Sequence, residues 1–220
     1  METLISDEDS YHATRFVFDE RREVLWRSLC DYYFNNLVCP DFHVLELGAG
    51  YGHFINNIRC SEKSAIDQWP GLLRYVKPPV NVAVGSVTDL SFVADGGVDF
   101  AFASNLFEHL TQADFSATLA QMRKKFKPGG TLNILQPNYR LAYREYFDDY
   151  THVSVYSDIS LCDFLQANGF SIIESIPGFL PFSIKSSAAP IRPWLIRLYL
   201  SLPWKFLAKQ MFIRAKLDGS

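Results

Sequence analysis

The run Glu46-Leu47-Gly48-Ala49-Gly50-Tyr51-Gly52 sets a carboxylate two residues ahead of three glycines on alternate positions. Glycine accepts positive φ and lets a ligand approach the backbone closely, so such a loop suits a nucleotide-like ligand. A dinucleotide fingerprint, G-x-G-x-x-G, would need its third glycine at position 53, which is His53. The fit to a pyrophosphate loop is therefore imperfect, and a plain tight turn is the alternative. Asp67 follows 21 residues after Glu46. A carboxylate at that position in a nucleotide-binding βαβ unit accepts hydrogen bonds from ribose hydroxyls; the competing reading is a surface turn. Trp69 either offers an aromatic face to a base or fills the core.

A second group of residues could move a proton. Glu108-His109 stands close after an apolar run, and Gln136–Ser154 (QPNYRLAYREYFDDYTHVS) carries Arg140, Arg144, Asp148, Asp149 and His152. Long connections are uncommon and often functional. Imidazole is the usual general base near neutral pH. His152 and His109 are therefore the candidate catalytic residues, each weighed against a scaffold role. Tyr139, Tyr143 and Tyr146 are expected near one face of a partly helical segment. A solvated cap held by ion pairs is the alternative. Tyr11 and His12 are weaker candidates to cover the mouth of the site.

The elements that must position these groups alternate in type. Helical spacing runs through 19–37, with Asp19 as cap and Cys39-Pro40 as stop. Strands are expected at 43–47, 64–67, 80–84, 98–103, 131–135, 170–176 and 209–215. Helices are expected at 54–58, 70–75, 111–126 and 158–168, with Gly169 ending the last. Lys127-Pro128-Gly129-Gly130 reads as a turn before the fifth strand. Such alternation gives a parallel sheet with helices on both faces. Ligands then sit beyond the carboxyl ends of the strands.

Composition bounds the rest. The chain has 220 residues, 48% hydrophobic and 20% charged, with a formal charge of −3. That excludes a disordered chain and gives no broad basic field for nucleic acid. Cys30, Cys39, Cys60 and Cys162 form no CxxC pair and have no His at zinc-finger spacing, so no metal site is expected. Scattered reduced thiols fit a cytoplasmic protein. The start, METLISDEDSYHATRF, lacks the basic and apolar regions of a signal peptide. No apolar run reaches the ~18 residues of a membrane span.

Five segments in order resemble the motifs of one family: Val44–Gly52 (VLELGAGYG), the Asp67 position, Gly85–Phe92 (GSVTDLSF), Val98–Leu110 (VDFAFASNLFEHL) and Phe126–Leu135 (FKPGGTLNIL). They look like class I S-adenosylmethionine-dependent methyltransferases of the type 11/23 group. The likeness is good over 40–140 and weaker over most of the remainder. It implies an α/β, Rossmann-like fold with a seven-stranded sheet in the order 3-2-1-4-5-7-6, and S-adenosylmethionine as cofactor. The organisation it implies is a helical cap (1–39), a cofactor-binding core (40–176), an insertion (177–208) and a last strand (209–217). By resemblance, Glu46 faces the methionine amino group through the loop backbone or a water. Gly48, Ala49 and Gly50 lie against methionine and ribose. Asp67, with Gln68 beside it, holds the ribose diol. Ser86 and Val87 border the adenine, and Ser104 and Asn105 line the methionine end.

One departure stands out. The group commonly has Asp after the Gly85 position, to accept from the adenine amino group, and this chain has Ser86. A hydroxyl accepts more weakly than a carboxylate; Asp89 is the candidate substitute. Methyl transfer from a sulfonium is an in-line displacement in which the protein mainly orients the partners. The resemblance implies a small or saccharide-containing acceptor methylated at oxygen, with a lipid-linked sugar foremost and a phenolic or quinone-type acceptor next. Residues 177–208 hold five prolines and many large apolar residues. Trp194, Leu195, Leu198 and Leu202 mark a helical stripe there. That helix packs on its own domain, on a second copy, or on a membrane. A nicotinamide-dependent oxidoreductase and a non-catalytic binding partner are the rival readings.

Overall fold

A computed structural model describes residues 17–181 and 191–218. One seven-stranded sheet organises them: β1 (His43–Leu47), β2 (Glu62–Asp67), β3 (Asn81–Val84), β4 (Val98–Ser104), β5 (Phe126–Pro137), β6 (Phe170–Pro181) and β7 (Ala208–Leu217). The spatial order is β3-β2-β1-β4-β5-β7-β6, as the resemblance implies. β1 to β5 pair in parallel, while β7 is antiparallel to both β5 and β6. The helices are α1 (Glu20–Tyr32), α2 (His53–Asn57), α3 (Leu72–Tyr75), α4 (Gln112–Lys125), α5 (Tyr139–Ala142), α6 (Asp158–Ala167) and α7 (Pro193–Ser201).

All five residues of β1 are buried, because successive side chains point to opposite, covered faces. Leu45 and Leu47 join the layer containing Phe107, Phe115, Leu119 and Leu161. Val44 joins Leu29, Phe34, Phe54 and Phe102 on the other face. The cap expected at Asp19 forms, its side chain accepting from the amide of Arg21. Thr111 caps α4 in the same way through the amide of Asp114. Ser157 and Ser160 close a capping box on α6.

Several boundaries move. The 19–37 helix breaks at Tyr33 into a short 3-10 turn, Phe34–Asn36. The Lys127–Gly130 segment is not a turn ahead of β5 but part of it, because Phe126 already pairs with Val98 before a bulge. β6 runs to Pro181 rather than stopping at Ile176, since Leu180 and Pro181 find partners on β7. The Gln136–Ser154 connection contains α5 and a 3-10 turn, Tyr146–Asp148. Its tyrosines do not share a face: Tyr146 is buried and Tyr143 is exposed. Tyr11 and His12 lie outside the described residues.

Candidate active site

Gly48, Gly50 and Gly52 all have positive φ, at 66°, 50° and 65°. This is the left-handed region that favours glycine. At Gly48 a Cβ would also stand 2.9 Å from Leu106 Cδ1, and at Gly52 2.6 Å from Val76 Cγ2. The loop is therefore a shaped cradle and not an interchangeable turn. Asp67, at the end of β2, locks it: Oδ2 accepts from the Gly50 amide at 2.7 Å and Oδ1 from the Trp69 amide at 2.8 Å. Both carboxylate oxygens thus stand beside the glycine loop, each with two lone pairs to accept with.

Glu46 is buried and its Oε2 accepts from the amide of Ile55 at 2.9 Å. The N-cap of α2 is Gly52, which has no side chain to cap with, so the strand carboxylate satisfies that amide instead. Burial, opposed by the Ile55 bond and reinforced by Asp67, pushes the Glu46 pKa well above the ordinary carboxylate value. A cationic ammonium beside it would restore its charge.

The adenine side is less complete. Ser86 Oγ lies 2.8 Å from Thr88 Oγ1, and Asp89 Oδ1 accepts from the amide of Ser91. Asp89 is exposed and engaged in its own turn, and Ser86 Oγ likewise accepts from the Thr88 amide at 3.2 Å. The Val87 side chain is buried in the core, which leaves its backbone to border a base. Trp69 packs edge-on to Tyr51 at 4.9 Å and lies roughly parallel to Tyr75 at 5.8 Å, in an aromatic cluster completed by Phe18. Gln68 is exposed. Ser104 Oγ accepts from Asn105 at 3.0 Å. Asn105 is itself left-handed, φ 50°, with its amide bonded to Leu135 and its Oδ1 accepting from Gln210.

The two histidines meet. Their ring centroids are 4.8 Å apart, edge to face. Two backbone bonds join their segments, from the amides of Val153 and Ser154 to the Glu108 carbonyl. His109 Nδ1 lies 2.9 Å from Thr151 Oγ1, which donates to Asp149 at 2.6 Å. A hydroxyl has one proton, so Nδ1 is the protonated nitrogen and Nε2 the basic one. Burial, helped by His152, pushes His109 down to about 4, so its imidazole is neutral near pH 7. Glu108 is wholly buried, no other described residue hydrogen-bonds its carboxylate oxygens, and burial raises its pKa to about 8. Donor atoms of Glu108, His109 and His152 lie within 4.8 Å of one another. A neutral acid beside two imidazoles can accept and pass a proton. Arg140 pairs with Asp158, and Arg144 bonds to Tyr143; both arginines are exposed.

Sequence reasoning missed two residues. Glu108 stands in the sequence only as the neighbour of His109, and its isolation is visible only once Val153 and Ser154 fold over it. Gln136 is fully buried near the carboxyl end of β5 with no hydrogen-bond partner for its side-chain amide among the described residues. Its polarity inside an apolar strand was the available signal.

Residues 18–175 match the family model described as a methyltransferase domain. The chain belongs to that methyltransferase family. Over 152 residues it is 28% identical to the malonyl-[acyl-carrier protein] O-methyltransferase of Methylococcus capsulatus, covering 61% of this chain and 54% of that protein. Over 154 residues it is 28% identical to the demethylmenaquinone methyltransferase of Corynebacterium urealyticum, covering 62% and 61%. The chain thus spans little more than half the length of these relatives. An S-adenosylmethionine-dependent methyltransferase from Archaeoglobus fulgidus superposes with a TM-score of 0.67 at 19% identity, over 96% of this chain and all of that one. The family membership sets aside the nicotinamide-dependent reading.

Proposed function

We propose that the protein transfers a methyl group from S-adenosylmethionine to a hydroxyl of a small or saccharide-containing acceptor, foremost a lipid-linked sugar. The observation that carries the cofactor half is the left-handed glycine loop tied through Gly50 to Asp67. Those residues fit the cofactor: Asp67 sets a carboxylate beside the glycine loop, the group a ribose diol donates to, and buried Glu46 suits an ammonium. Bound there, S-adenosylmethionine supplies an electrophilic methyl group. The chain's own residues orient it, exclude water and handle the acceptor's proton.

The paired imidazoles of His109 and His152, the former held neutral by burial, support oxygen as the methylated atom, because a hydroxyl needs a base where a carboxylate does not. His152 is the proposed base and His109 its neighbour in the proton relay. A phenolic or quinone-type acceptor is the second reading, favoured by the likeness to the demethylmenaquinone enzyme.

Thermal-shift titration tests the first half, since a ligand of the folded state raises the midpoint with its occupancy. S-adenosylhomocysteine is expected to raise it and NAD to leave it unchanged. A shift with NAD alone would reverse the cofactor assignment. Radiolabelled methyl transfer onto a panel of lipid-linked sugars, free sugars and quinols tests the second half. Label confined to quinols would replace the leading acceptor, and binding without turnover on the whole panel would favour a non-catalytic partner.

A further inference from the structure

The charges of this chain are unevenly distributed. From Ser175 to Leu217 there are seven lysines and arginines and no aspartate or glutamate. The rest of the chain therefore holds fourteen cations against twenty-four acids. Within that basic stretch lies α7, which is apolar on two sides. Ile196, Tyr199 and Leu200 pack inward against the core layer of α1. Trp194 and Leu198, one turn apart on the opposite side, are 61% and 52% exposed. The turn that follows presents Trp204, Phe206 and Leu207 at 81%, 67% and 78% exposure. Leu207 holds a positive φ of 61°, an uncommon conformation for a leucine. The Tyr199 hydroxyl donates to the carbonyl of Phe206 and ties the turn back to the helix. Cations flank these side chains: Arg192 is exposed, Arg197 lies over the Tyr32 ring at 5.7 Å, and Lys205 over Phe179 at 5.8 Å.

Apolar tips with interspersed cations complement one kind of surface. Tryptophan favours the boundary between headgroups and acyl chains, and each cation near an anionic bilayer adds attraction. A second copy of the chain is a poorer occupant, because a twofold contact would set Arg192, Arg197 and Lys205 of one copy against the same cations of the other. We propose that the outer face of α7 and the 202–207 turn dock on an anionic lipid surface. The inference deepens the lipid-linked reading of the acceptor and rests on it for its purpose. The binding itself is measured without any acceptor, so a wrong acceptor class leaves the result below unchanged.

The test is co-sedimentation of the full chain with vesicles of phosphatidylcholine alone and of phosphatidylcholine with phosphatidylglycerol in equal parts. Binding is expected to the mixed vesicles, weaker in high salt, with tryptophan fluorescence quenched by brominated acyl chains. The double variant Trp204→Ser, Phe206→Ser is expected to bind about tenfold more weakly or worse. Its shift with S-adenosylhomocysteine is expected to match wild type, which shows that the variant folds. Failure of the wild type to bind mixed vesicles, or equal binding by wild type and variant, overturns the proposal. So does a concentration-dependent dimer, dissolved by the same substitutions, with no vesicle binding.

Discussion

Asp67 serves two purposes, since the carboxylate that shapes the loop through Gly50 is also the one proposed to hold the ribose. Asp67→Ala is expected to weaken S-adenosylhomocysteine binding by about 1–3 kcal/mol, roughly tenfold to a hundredfold. Calorimetric titration checks it, and unchanged affinity would dissociate Asp67 from the ribose. Glu46 gives a pH prediction. Its pKa lies above the ordinary value of 4.5 in the folded state. The folded protein therefore binds more protons there than the unfolded chain does, and this group's contribution falls as pH rises above 4.5 toward the folded value. Glu46→Gln removes that slope while keeping an acceptor for Ile55. The variant should gain thermal stability relative to wild type as pH rises toward 7, yet show a smaller shift with S-adenosylhomocysteine. Parallel melting-versus-pH curves for the two proteins would contradict the burial argument. His152→Ala should lower turnover by about 10²–10⁴ with cofactor affinity retained. Because the proposed role is proton transfer, treatment with EDTA should leave wild-type turnover unaltered; loss of activity on chelation would instead assign the Glu108–His109–His152 cluster to a cation.

At the scale of elements, strand-to-loop transitions carry the site, and they were legible wherever glycine spacing or a β-branched run marked them. The β1 loop and the Asp67 position stood out for that reason. Extents of β5 and β6 did not, because a Pro-Gly-Gly segment and a Pro-Gly pair look like breakers until a neighbouring strand supplies partners. Val87 shows the same limit, since sequence places it beside a candidate base but not on the side of the chain that faces the core. The stripe on α7 was visible, but periodicity could not say which of its two apolar sides is covered. Glycine substitutions separate local strain from ligand contact. Gly48→Ala meets both a positive φ and Leu106, and should cost about 1–3 kcal/mol of stability. Gly85 has no positive φ, and a Cβ there would point into open space. Gly85→Ala should leave unfolding midpoints near wild type while weakening S-adenosylhomocysteine binding. Equal binding by Gly85→Ala and wild type would move the adenine away from this loop.

For the molecule as a whole, one sheet order accounts for where everything meets. The order β3-β2-β1-β4-β5-β7-β6 brings the ends of β1, β2, β4 and β5 to one edge, the edge where ligands bind in such sheets. The long connection after β5 returns over the β4 loop and sets His152 against His109. Topology could be inferred from the alternation of elements and from the resemblance. The histidine contact could not, because it joins residues 43 positions apart through backbone bonds that carry no side-chain signature. The acid-free stretch around α7 was countable from sequence, but its meaning required the exposure of Trp194 and Trp204.

A crystal structure of the protein with S-adenosylhomocysteine bound addresses the core of this account. The expected density has both ribose hydroxyls on Asp67, the amino acid portion against Gly48–Gly50 near Glu46, and the sulfur directed toward the His109–His152 pair. Density for the nucleoside elsewhere, or a sulfur directed away from the two histidines, would contradict it.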